Sequence, residues 1–295
     1  MKRDEFAAYH PLVSFLYFVL VLAFTMVFTH PVMLLISLGC AVAYGTWLKG
    51  KKAARMLLYL LPVCLLTLLL NPVFNHEGAT ILLWLPSGNP LTKEAFFFGG
   101  AAALMLMAAV AWFFCLNEVL TSDKFIWLFG RIIPALSMVL SMVLRFVPRF
   151  TERMRMVSAA RRAAGYQEGE KPLQKIRHGV TVLSVVVTWA LENAIETADG
   201  MKSRGYGLEG RTAFSVYRWE KRDSAAVLFL LYCAGYILVG SAVDGIRWQY
   251  YPMTGGEWRS PFAISIFLAY LALCIMPLYI NGKEAAKWRS LLSEI

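Results

Sequence analysis

Two short stretches in the middle of the chain combine basic side chains, a glycine and a tyrosine at the end of an amphipathic pattern. They are Arg161-Arg162-Ala163-Ala164-Gly165-Tyr166 and Lys202-Ser203-Arg204-Gly205-Tyr206. Glycine adopts the left-handed backbone that closes a helix without a steric penalty, so Gly165 and Gly205 are predicted to lie just past helix ends. An arginine in the last turn is favoured by the carbonyl end of the helix dipole and keeps its planar fork of donors for a partner's carboxylate. The chemistry on offer is recognition through charge-assisted hydrogen bonds.

Residues that could make or break bonds are not grouped. No G-x-x-x-x-G-K-[ST] loop is present to cradle phosphates, so any ATP must be held by another chain. The histidines, His10, His30, His76 and His178, stand singly, with no pair at metal-ligand spacing. The aspartates, Asp4, Asp123, Asp199, Asp223 and Asp244, are dispersed and form no cluster for a magnesium diphosphate. Cys40, Cys64, Cys115, Cys233 and Cys274 all lie in apolar stretches and read as packing residues. The apolar runs hold almost no acidic residue, which weighs against a proton-coupled carrier. No metal or cofactor is expected in this chain.

The elements that must position these residues are membrane helices. Of 295 residues, 58% are hydrophobic and 16% charged, whereas a soluble domain has about a quarter charged. Apolar runs cover residues 12–29 and 32–48, split by His30-Pro31, then 56–74, 95–116, 225–243 and 262–280. Residues 132–147 form a further run that ends in basic residues and is not expected to expose its far end outside. The fold class is therefore an all-α polytopic membrane protein with about 5–7 membrane helices and a cytoplasmic α-helical domain. Residues 75–94 read as an outside loop, and residues 117–131, with Phe125 and Trp127, as a helix lying at the interface. The basic N-terminus with its long apolar run reads as a retained first span.

Charge fixes orientation. Lys49, Lys51, Lys52 and Arg55 mark a cytoplasmic turn, and Lys283, Lys287 and Arg289 a cytoplasmic C-terminus, so both termini are expected in the cytoplasm. The net charge is +10, but 15 of the 29 Lys and Arg fall between Arg145 and Arg222, a placement that argues for a cytoplasmic working segment and against nucleic acid. The expected division is an N-terminal transmembrane region (1–131), a cytoplasmic coupling region (132–222) and a C-terminal transmembrane region (223–295). Within the middle region, helices are expected over 148–164 and 189–204. Leu191, Ile195, Ala198 and Met201 would line one face of the second, and Glu192, Glu196 and Asp199 another. Met138, Met142, Met154 and Met156 offer an adaptable apolar surface or simple core filling.

The stretch LRFVPRFTERMRMVSAARRAAGY (144–166), followed by LENAIETADGMKSRGYG (191–207), resembles the transmembrane T component of energy-coupling factor transporters, the family that includes the cobalt-transport membrane subunits. The resemblance implies two coupling helices, each ending in an Ala-Arg-Gly signature that docks on one of two ATP-binding-cassette ATPases. It further implies a small membrane S component that binds a vitamin or metal ion, with ATP bound by the ATPases and the assembly in the plasma membrane of a prokaryote. Ser203-Arg204-Gly205 matches the second signature. Ala163-Ala164-Gly165 departs from the first, with Ala164 where the family has arginine, and Arg161 or Arg162 could substitute from one turn earlier. Two other classes stay open: a permease subunit of a different ATP-driven transporter, with a single coupling helix, and a membrane enzyme acting on lipid.

Overall fold

Two His-Pro pairs open the first two membrane helices. In the computed structural model, which describes residues 4–84, 90–130, 134–166, 172–206, 208, 217–243, 246, 248–256 and 259–293, His10 and His30 each sit at the N-cap. Their Nδ1 atoms accept the backbone N–H of Leu12 (3.3 Å) and Val32 (3.2 Å). Pro11 and Pro31 take the first helical position, where the missing N–H costs nothing. Helix α1 spans Pro11–Val27 and α2 spans Pro31–Lys49. Only Gly50, at φ +54°, separates α2 from α3 (Lys51–Phe74), so the basic cluster is a one-residue turn flanked by helix ends. Helix α4 covers Lys93–Val119, α8 covers Lys221–Ala242 and α9 covers Pro261–Ser293.

These six helices form one unit, residues 1–125 with 217–295, while residues 126–216 form a second. The N- and C-terminal membrane regions read from the sequence lie together in the first unit, where α9 packs on α2 and α8 on α1. The middle unit begins and ends six residues before the expected limits of 132 and 222. Helices α2, α3, α4, α8 and α9 are long and apolar enough to cross a bilayer, and α1 is a shorter apolar helix. The protein is an all-α polytopic membrane protein. Its only strands among the described residues are two short hairpins, Ile81–Trp84 with Pro90–Thr92 and Trp248–Gln249 with Gly255–Gly256, where the sequence suggested plain loops.

Close approach of α3 and α4 depends on small residues, as expected where helices pack without a hydrophobic drive. A Cβ at Gly99 would lie 3.1 Å from the Leu68 carbonyl oxygen. A buried polar cluster ties four helices together: Thr25 Oγ1 and Ser37 Oγ lie 2.7 Å apart, Tyr270 OH reaches Thr25, and Trp112 Nε1 donates to Ser37 Oγ at 2.9 Å. Ser37→Ala strands the buried Trp112 N–H, and we expect it to lower stability by about 1–2 kcal/mol. A thermal melt in detergent reads this directly, and an unchanged midpoint would show that Trp112 finds another acceptor.

The second unit is a helical hairpin. Helix α5 (Ser122–Gly130) runs into it from the first unit, and α6 (Pro134–Ala163) and α7 (Pro172–Ser203) are each continuous. The sequence pointed to breaks at residues 148 and 189. Pro148 lies inside α6, and what changes there is the surroundings a residue prefers, apolar before and basic after, while the helical period runs on. Residues 173–203 are also long and apolar enough to cross a membrane on length and composition. Half-buried or buried positions on α7 recur at His178, Val182, Val186, Trp189, Asn193, Thr197 and Gly200. That spacing of four, four and three keeps one straight stripe against α6. Trp189 anchors the middle, edge-on to Phe150 (6.1 Å) and beneath the Arg153 guanidinium (4.7 Å). Ser158 Oγ meets His178 Nε2 at 3.2 Å nearer the turn.

Candidate functional site: two matched helix caps

Both candidate signatures close their helices by the same backbone motif. At the end of α6, the Gly165 N–H donates to the Arg162 carbonyl and the Tyr166 N–H to the Arg161 carbonyl, each at 3.0 Å. At the end of α7, the Gly205 N–H donates to Lys202 (2.9 Å) and the Tyr206 N–H to Met201 (3.0 Å). This is the paired bonding of a Schellman cap, with glycine in the left-handed region at φ +86° and +70°. A side chain at either glycine would strain that backbone. The shared geometry sets the register, placing Ala164 and Arg204 at the same C-cap position.

Arg204 is exposed there, and beside it Arg145, Arg149 and Glu196 line a groove with Met142 and Gly200. Arg145 and Arg149 belong to no signature in the sequence; their i, i+4 spacing on α6 was the available signal. At the other cap, Ala163, Ala164 and Gly165 are exposed and carry no charge. Arg161 is half-buried, its guanidinium 5.3 Å from the Tyr166 ring and its Nη1 buried without a hydrogen-bond partner among the described residues. It fills the cap from the C3 position. Arg162 is exposed, with Nη2 3.5 Å from Ser158 Oγ, and lines a groove with Arg155 and His178. Of the two proposed substitutes for a C-cap arginine, Arg162 alone presents its charge at the surface. Gly207, the last residue of the second stretch, lies outside the described residues.

The structure does not bring the two caps together. Arg204 lies beside residues 142–149 of α6, whereas Ala164 ends that helix. At 1.5 Å per residue the two caps are about 30 Å apart along the hairpin. Each end is predominantly cationic. The apolar stripe expected on α7 divides: Leu191 and Ile195 are 64% and 66% exposed, whereas Met201 is half-buried and lines the groove with Met142, Arg145 and Arg149 of α6. Met154 and Met156 are exposed too, while Met138 and Met142 are half-buried. Arrangements of this kind suit binding to other proteins at both ends and along one apolar side.

A sequence model of the cobalt transport protein family (CbiQ) matches residues 8–214. The energy-coupling factor transporter transmembrane protein EcfT of Lactococcus lactis subsp. cremoris (strain MG1363) is 32% identical over 91 residues, which is 30% of this chain and 34% of that protein. The aligned stretch thus spans about a third of the relative's length.

Proposed function

The chain belongs to the cobalt transport protein family, and on that premise we propose that it is the transmembrane coupling subunit of an energy-coupling factor importer. Two partner ATPases bind and hydrolyse ATP, each gripping one capped end of the α6–α7 hairpin. A small membrane S component carries the substrate, a vitamin or a transition-metal ion, and rests on the apolar side that includes Leu191 and Ile195. Movement of the ATPases displaces the helices, and the helices reorient the S component so that it releases its cargo inside. The chain itself is non-catalytic. Its one-residue turn at Gly50 and its C-terminal lysines lie in the cytoplasm of a prokaryotic cell, with the bundle in the plasma membrane.

The observation that carries this reading is the pair of identical Schellman caps about 30 Å apart at opposite ends of one hairpin. A permease subunit of another ATP-driven transporter would present one coupling helix; two caps of a single design favour two ATPases. Affinity purification of the tagged chain from membranes in mild detergent tests it. Two ATPase chains and a small hydrophobic protein should come with it, and recovery of the chain alone, under conditions that preserve other membrane complexes, overturns the proposal.

The first cap makes a narrower point. Because Ala164 is exposed and shares the C-cap geometry of Arg204, Ala164→Arg has room for its side chain and restores the usual charge. We expect uptake to stay within about 0.5 kcal/mol, or roughly twofold, of the parent. Loss of ATPase binding in this variant would mean that the first ATPase groove has adapted to alanine.

A further inference from the structure

Four consecutive residues near the N-terminus contact the first unit on the near side of both places where the chain passes between the two units. The first unit ends at Phe125 and resumes at Tyr217. Just before the outgoing passage, Lys124 is 5% exposed and its Nζ donates to the Ala7 carbonyl at 2.6 Å. Just after the returning one, Arg222 Nη2 donates to the Ala8 carbonyl (3.3 Å) and its guanidinium lies 5.1 Å from the Tyr9 ring. The His10 backbone N–H donates to Asp223 Oδ1 (3.2 Å), and the His10 ring meets Trp219 edge-on at 4.8 Å. Ala7, Ala8, Tyr9 and His10 therefore grip one connection and then the other.

The segment is itself fixed to the bundle. Asn281 Oδ1 of α9 accepts the Glu5 N–H (2.8 Å) and the Phe6 N–H (3.4 Å), and its Nδ2 donates to Asp4 (2.6 Å), which also accepts from Tyr44 OH of α2 (3.0 Å). Phe6 is fully buried against Tyr17. A buried lysine spends desolvation energy, and one that closes on a backbone carbonyl holds that carbonyl firmly, since removing it would leave a buried acceptor unpaired. Asp223 is likewise buried, and its second oxygen accepts the Glu220 N–H at 2.9 Å, so it caps α8 while holding the N-terminal segment.

We propose that residues 4–10 are a clasp that fixes, within the membrane bundle, the residues from which the chain leaves for the 126–216 unit and to which it returns, with Lys124 and Asp223 as positioning residues. Its consequence for transport rests on the coupling function proposed above: motion delivered to the α6–α7 hairpin is passed to bundle residues that the clasp holds in place. The geometry of the clasp does not depend on that reading, so the two can be tested apart.

Hydrogen exchange on the full-length protein in detergent tests the clasp alone. Deleting residues 2–9 is expected to speed exchange at 122–125 and at 219–224 together, by about tenfold or more, while α4 stays protected. Acceleration at one connection only, or at neither, overturns the proposal. Should the deletion prevent accumulation in membranes, Lys124→Met with Arg222→Gln leaves the segment in place and releases one side-chain grip at each connection, and the same joint loosening is required. In the assembled complex, Lys124→Met should keep ATP hydrolysis near the parent rate and lower uptake per ATP by roughly fivefold or more, with Lys124→Arg restoring it. An unchanged ratio of uptake to hydrolysis overturns the positioning role. If the unaltered chain recruits no ATPase, the coupling function fails while the exchange result still decides the clasp.

Discussion

Arg204→Glu is expected to abolish ATP-driven uptake in membrane vesicles while the membrane bundle melts as before. Arg204 sits at the C-cap of α7, exposed, with a cap built entirely from the backbone bonds of Gly205 and Tyr206. Those bonds do not use the arginine side chain, so the helix end survives the exchange. A glutamate there meets the negative end of the helix dipole, at a local cost of about 0.3–1 kcal/mol. The docking cost is larger. Where a charge pair at an interface is desolvated, losing one partner costs about 2–5 kcal/mol, a factor of roughly thirty to several thousand in affinity. Reversal of charge adds repulsion against any carboxylate with which the proposed ATPase partner receives Arg204. Neighbouring Arg145 and Arg149 cannot rescue it, because a glutamate beside them would be drawn to their guanidiniums and away from the partner. The measurement pairs vesicle uptake with a detergent melt. Normal uptake by this variant would remove the docking role, and a collapsed melt would make Arg204 a folding residue.

The caps were legible in the sequence because their signal is local. A glycine followed by tyrosine after an amphipathic run demands a left-handed residue, and Gly165 and Gly205 supply it. The membrane helices were legible for a similar reason, since twenty apolar residues in a row have few alternatives. What was not legible is how the membrane regions pack, because the deciding contacts join residues far apart in the chain. Asn281 binds Glu5 across 276 residues and Asp223 binds His10 across 213. Nothing in either neighbourhood announces that the two membrane regions share one core. Helix limits failed for another reason. At Pro148 the composition changes from apolar to basic, and a boundary of solvent preference was read as a boundary of structure. Both hairpins lack the Asn-Gly or Asp-Gly turn that would have signalled them at the right place.

The outward face of α7 makes the remaining prediction. The stripe from His178 to Gly200 is committed to α6, and Leu191 and Ile195, which fall between its members, are mostly exposed. Burying a leucine or isoleucine side chain is worth about 1.5–3 kcal/mol each. If the S component covers both, the double variant Leu191→Asp with Ile195→Asp gives up about 3–6 kcal/mol of its binding, a loss of roughly a hundredfold to ten-thousandfold in affinity. The caps lie at the helix ends and keep their backbone bonds, so the ATPases should remain bound. Co-purification then separates the possibilities. Recovery of both ATPases without the S component assigns this face to substrate delivery. A face that merely touches lipid responds differently: two carboxylates in hydrocarbon are costly enough to lower the amount of chain in the membrane, and every partner is lost in proportion. Undiminished recovery of the S component would place its seat elsewhere, with Met154 and Met156 of α6 as the next surface to test.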